Sequence, residues 1–239
     1  MQTDFLEDRY IRLLQIDWEK IDRSSYLRQI EALKNISELA FQKNITFFVG
    51  ENGSGKSTLL EAIAKAYGFN PEGGTLNYHF STYEDTSELF QAIQLVKGFQ
   101  RPKTGYFFRA ESFFNVATAA VEEYESNNNY HTQSHGESFL SFLGGFQGNG
   151  IYLMDEPEAA LSPQRQLSLL LHIHNLAKRG SQFIIVTHSP ILLGTPNADI
   201  WTFDEGEIHT CQYEETESYQ ITKMFLENKE EVLKRLLEE

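Results

Sequence analysis

The run Gly50-Glu51-Asn52-Gly53-Ser54-Gly55-Lys56-Ser57-Thr58 fits the pattern G-x-x-x-x-G-K-[ST], whose chemistry is phosphate binding. Its glycines let backbone N–H groups curl around phosphate oxygens, and the start of a following helix adds partial positive charge. Lys56 is placed to reach the β- and γ-phosphates, and Ser57 to offer its hydroxyl to Mg²⁺. A second cluster follows the apolar run Ile151-Tyr152-Leu153-Met154, which ends in Asp155-Glu156. A carboxylate at the tip of a buried strand beside a phosphate loop suits Mg²⁺, and its neighbour Glu156 suits the polarisation of an attacking water. Adjacent strand residues point to opposite sides, so both roles need the chain to turn, and Pro157 forces a turn. In Thr187-His188-Ser189-Pro190 an imidazole at a strand tip can sense a γ-phosphate and orient water. In Ser134-His135-Gly136-Glu137-Ser138, Ser134 reads as an N-cap with Glu137 three residues on. A capped helix start of this kind is itself a phosphate-binding device. His172 and His174 stand two apart on one helix, face different sides and make a poor metal pair.

These residues need strands ending on a common edge. Ile45-Thr46-Phe47-Phe48-Val49 reads as a buried strand before the loop, and Leu59 to Ala66 as the helix after it. Further strands are expected at Tyr10–Ile16, Gly105–Arg109, Ile151–Met154 and Phe183–Val186, the last two as continuous apolar runs of the kind buried on both faces. A hairpin is expected from Ile200–Phe203 and Glu207–His209 around Asp204-Glu205-Gly206. Helical spacing is read over Ser87–Val96, Ser112–Tyr124 and Pro163–Lys178, and in one amphipathic segment from about Glu217. The stripe Ile221, Met224, Phe225, Val232, Leu233, Leu236, Leu237 is read as packing. Alternating strands and helices imply a mostly parallel sheet flanked by helices.

The 239 residues allow one large α/β domain, and no Pro- or Gly-rich linker divides them. No apolar run approaches the roughly 18 residues that cross a membrane, so no direct membrane insertion is expected. The acidic start and the single Cys211 fit a cytoplasmic setting. A formal net charge of −14 argues against gripping nucleic acid with the whole surface.

The ordered set GENGSGKST, SHGES, IYLMDEPEAALS and VTHSP resembles the nucleotide-binding domain of ATP-binding-cassette (ABC) ATPases, from about Phe41 to His188. The resemblance implies an α/β P-loop NTPase fold with a mostly parallel sheet, an N-terminal antiparallel β part and a short helical lid at roughly 112–145, all in one domain spanning 1–239. It implies an ATPase in which Gly50, Asn52, Gly53, Ser54, Gly55, Lys56, Ser57 and Thr58 hold the ATP phosphates. Ser57 and Asp155 are then the Mg²⁺ side, Glu156 the catalytic base and His188 the switch histidine. Ser134 and Gly136 would contact the γ-phosphate held by a second subunit, implying an ATP-dependent homodimer crossed by Glu158–Ser162. Two positions depart from the usual signature, His135 for a Gly and Glu137 for a Gln. The glutamine-loop role as a Mg²⁺ and water contact falls to Glu111, with Gln100 as rival. Trp18 and Tyr26 are the aromatic candidates for stacking on adenine, each read as core first. Insertion lengths match stand-alone bacterial ATPases related to the SMC and RecF-like branch: about twenty residues separate Glu111 from the signature, and about fifty follow His188. The alternatives are a slow ATP switch acting on a protein or DNA partner in DNA processing or phage defence, and the ATP-binding subunit of a transporter.

Overall fold

The computed structural model describes residues 9–76, 88–109, 144, 146, 148–159 and 161–237. Among them, ten strands form two sheets. The larger runs β10 (His209–Cys211), β9 (Ala198–Thr202), β3 (Ile45–Val49), β8 (Gln182–Val186), β7 (Gly150–Asp155), β6 (Thr104–Arg109), β4 (Gly74–Thr75) in spatial order. The five inner strands are parallel and the two edges antiparallel. Because β9, β3, β8, β7 and β6 run the same way, Thr202, Val49, Val186, Asp155 and Arg109 end on one edge. Ligands of open parallel sheets bind at that kind of edge.

Helices cover both faces of this sheet. Alternate strand residues enter opposite cores, with Phe48, Leu153, Ile184 and Val186 on one side and Phe47, Tyr152, Met154 and Ile185 on the other. Helix α2 (Lys56–Tyr67) fills the first core with Leu59, Leu60 and Ile63. Helix α4 (Pro163–Ala177) fills the second with Leu169, Ile173 and Leu176. Shorter helices α1 (Glu31–Lys34), α3 (Leu89–Ala92) and α5 (Pro190–Leu193) connect strands, and α6 (Glu217–Glu227) and α7 (Lys229–Leu237) close the described chain.

The smaller sheet, β2 (Glu38–Ala40), β1 (Ile11–Ile16) and β5 (Ile93–Lys97), is antiparallel and packs through Ile11, Leu14 and Leu39 into the first core. Buried Gln182 ties the two sheets. Its Oε1 accepts the Ile11 N–H at 2.8 Å, and its Nε2 donates to the Ile11 carbonyl at 2.9 Å.

Three expectations are corrected. Of the helix read over 87–96, the described residues form only α3, and Ile93–Lys97 is a strand. There half-buried Ile93 and Leu95 alternate with exposed Gln94 and Val96, a period of two that antiparallel pairing with β1 satisfies. The C-terminal helix is two helices, because Asn228 (φ −131°, ψ 37°) leaves helical geometry. Neither holds a buried residue, and the stripe read as packing exposes Ile221, Met224, Phe225, Leu236 and Leu237. The helix read over 112–124 and the lid lie outside the described residues.

Candidate functional site

The phosphate loop leaves the tip of β3 wedged between two walls. A Cβ on Gly50 (φ +134°) would lie 2.8 Å from Asp204 Oδ1. A Cβ on Gly55 (φ +98°) would lie 2.8 Å from Ile30 Cγ2 and 3.0 Å from the Leu33 side chain. Both φ values lie where L-residues are strained, so only glycine meets the conformational and the steric demand. Asn52 and Gly53 are exposed at the loop tip, Ser54 is half-buried, and Ser57 and Thr58 lie in the first turn of α2. Lys56 is buried and curls over the loop, donating to the Gly50 carbonyl at 2.7 Å, the Glu51 carbonyl at 2.6 Å and Ser54 Oγ at 3.4 Å. Burial pushes its ammonium pKa down, while Asp204, Glu156, Asp155 and Glu51 hold it up. Its donors thus stand at the centre of the loop in acidic surroundings.

Asp155 ends β7 directed at the loop: Ser57 Oγ donates to its Oδ1 at 2.9 Å. Glu156 takes a left-handed φ of +48°, and its N–H donates to the Val186 carbonyl at 3.0 Å. The two neighbouring carboxylates therefore diverge, one to Ser57 and one to His188, whose Nε2 lies 3.9 Å from Glu156 Oε1. The Glu156 and His188 side chains are 47% and 42% exposed, open to an incoming ligand. The Ser57–Asp155 pair supplies two hard oxygens beside the loop, which fits Mg²⁺, an ion held by one or two carboxylates together with substrate phosphates and waters.

Three further polar side chains brace the site. Asp204, in the β9–β10 hairpin, accepts the Glu51 N–H at 2.9 Å and the Thr202 hydroxyl at 2.8 Å, so it braces the loop's start. Glu158 accepts the His188 N–H at 2.7 Å. Gln166 on α4 accepts the Ser189 hydroxyl at 2.6 Å and donates to the Leu161 carbonyl at 3.0 Å. In the sequence Asp204 reads only as part of a hairpin turn and Glu158 only as the start of the interface segment Glu158–Ser162; neither reads as a support of the strand tips, and Gln166 carries no signal. A cleft of about 230 Å³ beside the loop is walled by Gly50, His188 and Asp204 on one side and by Glu217, Ile221 and Thr222 of α6 on the other.

Ser134, Gly136 and Glu111 lie outside the described residues. Gln100 precedes β6 and so stands by the N-terminal end of that strand, away from the tips. Trp18 is half-buried and donates through Nε1 to the Ile36 carbonyl at 2.7 Å. Tyr26, read as core first, is 55% exposed instead.

Two family models match the chain: "AAA domain" over residues 25–129 and "AAA domain, putative AbiEii toxin, Type IV TA system" over residues 132–194. A phosphate import ATP-binding protein, PstB 1 of Streptococcus agalactiae serotype III (strain NEM316), is 31% identical over 205 aligned residues, covering 70% of this chain and 78% of the relative. Among solved structures, cbiO1 from Clostridium perfringens, part of the ABC transporter complex cbiONQ, is 15% identical with a TM-score of 0.48, covering 97% of this chain and 100% of that one. The SMC head domain from Thermotoga maritima is 16% identical with a TM-score of 0.41, covering 85% and 98%. The identity to the import protein extends over most of both chains, and the chain belongs to the ABC-type ATPases.

Proposed function

We propose that this ATPase is Mg²⁺-dependent and works in the cytoplasm as an ATP-gated homodimeric clamp. The observation that carries this reading is the convergence of Lys56, the Ser57–Asp155 pair and the Glu156–His188 pair on one sheet edge. Lys56 exchanges its bonds to the Gly50 and Glu51 carbonyls for β- and γ-phosphate oxygens, leaving a neutral cradle for a charged one. Ser57 and Asp155 would hold Mg²⁺, which when bound neutralises charge on the phosphate oxygens. Glu156 aligns a water for in-line attack on the γ-phosphorus and accepts its proton, and His188 donates toward the γ-phosphate. Ser134 and Gly136 of a second copy complete the γ-phosphate's surroundings, so each chain serves two sites. The single domain carries a short lid at roughly 112–145, with Glu111 as a water and metal-side contact.

ATP rather than ADP then favours closure, because only the γ-phosphate gives the opposing Ser134 and Gly136 an acceptor, and a differential contact is what shifts an assembly equilibrium. Repulsion between chains of net charge −14 is weak at physiological salt, where the Debye length is about 8 Å. Light scattering on Glu156→Gln with Mg²⁺ checks this: a dimer with ATP and a monomer with ADP are expected. Equal masses with both nucleotides would remove the clamp.

A second reading, the ATP-binding subunit of a transporter, is favoured by the likeness to a phosphate import ATP-binding protein. Among the described residues no helix is long and apolar enough to cross a membrane, so this reading requires a separate membrane partner. Co-purification of a permease would select it. Stimulation of turnover by DNA ends or single strands would instead favour the SMC- and RecF-like branch and a switch acting on DNA.

A further inference from the structure

The β7–β8 ladder has its last paired residues at Asp155 and Val186, yet the groups proposed for the chemistry sit just beyond it. Glu156 and His188 are both about half exposed, so packing alone does not set their separation. Beyond the ladder the two segments are linked by specific bonds. The Glu156 N–H reaches the Val186 carbonyl at 3.0 Å, and the His188 N–H reaches Glu158 Oε1 at 2.7 Å. Gln166 adds a strut, joining the Leu161 carbonyl to the Ser189 hydroxyl. The turn that carries Glu156 thus returns, two residues later, to grip the backbone of His188.

Glu158 is costly where it stands. Its Oε2 is enclosed without a well-formed hydrogen bond, and burying an under-satisfied carboxylate disfavours folding. Burial pushes its carboxyl pKa up, against the opposing pull of the His188 and Glu158 N–H groups and the Thr187 hydroxyl. Departures of this kind from a satisfied interior collect at functional sites.

We propose that Glu158 is a positioning residue: by accepting the His188 N–H it fixes the separation between the His188 ring and the Glu156 carboxylate. The proposal rests on the reading of Glu156 as base and His188 as γ-phosphate sensor. A misplacement of about 1 Å can cost up to about 10²-fold in turnover. Glu158→Met keeps the volume and removes the acceptor, whereas Glu158→Gln keeps an amide oxygen for the same N–H.

The experiment measures ATP turnover and thermal unfolding of the wild type, Glu158→Met, Glu158→Gln, His188→Ala and the Glu158→Met/His188→Ala double variant, with Glu156→Gln beside them. Glu158→Met is expected to lower kcat by about tenfold or more with KM within about twofold, and Glu158→Gln to restore kcat to within about threefold of wild type. On the His188→Ala background the Glu158→Met loss should shrink to about twofold or less, because the two residues act as one unit. If Glu158→Met does not fold, Glu158→Ser, whose hydroxyl is too short to reach the N–H, takes its place. Wild-type kcat in the acceptor-less variant, full additivity with His188→Ala, or a folded Glu158→Gln as impaired as Glu158→Met would each overturn the positioning role while Glu156→Gln stays inactive. Wild-type turnover by Glu156→Gln would instead sink the reading beneath it.

Discussion

The tip of β7 and the helix pair α6–α7 are both rich in large apolar residues, and they end with opposite burial. On β7, Ile151, Tyr152, Leu153 and Met154 are at most 1% exposed, with Asp155 and Glu156 following at the rim. On α6–α7, Ile221, Met224, Leu226, Leu236 and Leu237 are 47% to 77% exposed. The strand is covered on both faces, whereas neither helix holds a buried residue. Local interactions support α7, with Glu230 and Glu231 in its first turn, Lys234 and Arg235 in its last, and an Arg235–Glu231 pair at 2.9 Å. Each such term is small, about 0.2–0.5 kcal/mol for an exposed i,i+4 pair. Burial therefore anchors β7 as far as Met154, the bonds beyond the ladder link the rim residues, and apolar content alone does not signal burial.

This contrast can be broken from its strong end. Leu153→Ala, in the middle of β7, should destabilise the fold by about 2–5 kcal/mol in denaturant titration, through lost burial and the cavity left behind. Next, Gly55→Ala should cost about 1–3 kcal/mol, because the new Cβ meets Ile30 and Leu33 at an unfavourable φ; ATP binding, followed by calorimetry, should weaken with it. A smaller effect of opposite sign is expected for Glu158→Gln. The Glu158 pKa is raised by folding, so the native state binds a proton more readily than the unfolded state. Its contribution to stability is greatest at low pH and falls as pH rises through the folded value. The Gln variant should thus gain thermal stability over wild type above that value, and lose the gain as pH drops toward the ordinary carboxylate range. Leu236→Ser on α7 should change stability by no more than about 0.5 kcal/mol. A large loss there would mean the exposed stripe is covered in solution, erasing the contrast.

Much of the strand-tip edge was legible because its parts are local. The loop glycines, Lys56 and Ser57 form one contiguous run, and the apolar runs Ile45–Val49, Ile151–Met154 and Phe183–Val186 are strands within a residue of their expected bounds. Asp155 and Glu156 diverge as Pro157 required, through the left-handed Glu156. What sequence did not carry was long-range. Asp204 meets Glu51 across 153 positions, and Gln182 meets Ile11 across 171; nothing in either residue's neighbourhood names its partner. Helical spacing over 87–96 misled because Leu89 and Ala92 do form a turn of helix, while pairing with β1 extends the residues after them. The C-terminal stripe had the right period for helices, but period reports one apolar face and not what covers it.

The proposed chemistry needs Glu156 as the base at the strand-tip edge. The direct measurement is ATP turnover and ATP affinity of Glu156→Gln in parallel, since the substitution keeps shape and hydrogen bonding but removes the carboxylate. Turnover should fall by about 10²-fold or more while affinity stays near the wild-type value, because Lys56 and the loop proposed to bind the phosphates are untouched. Turnover at the wild-type rate with intact affinity would contradict the account, since the water would then be aligned by some other group.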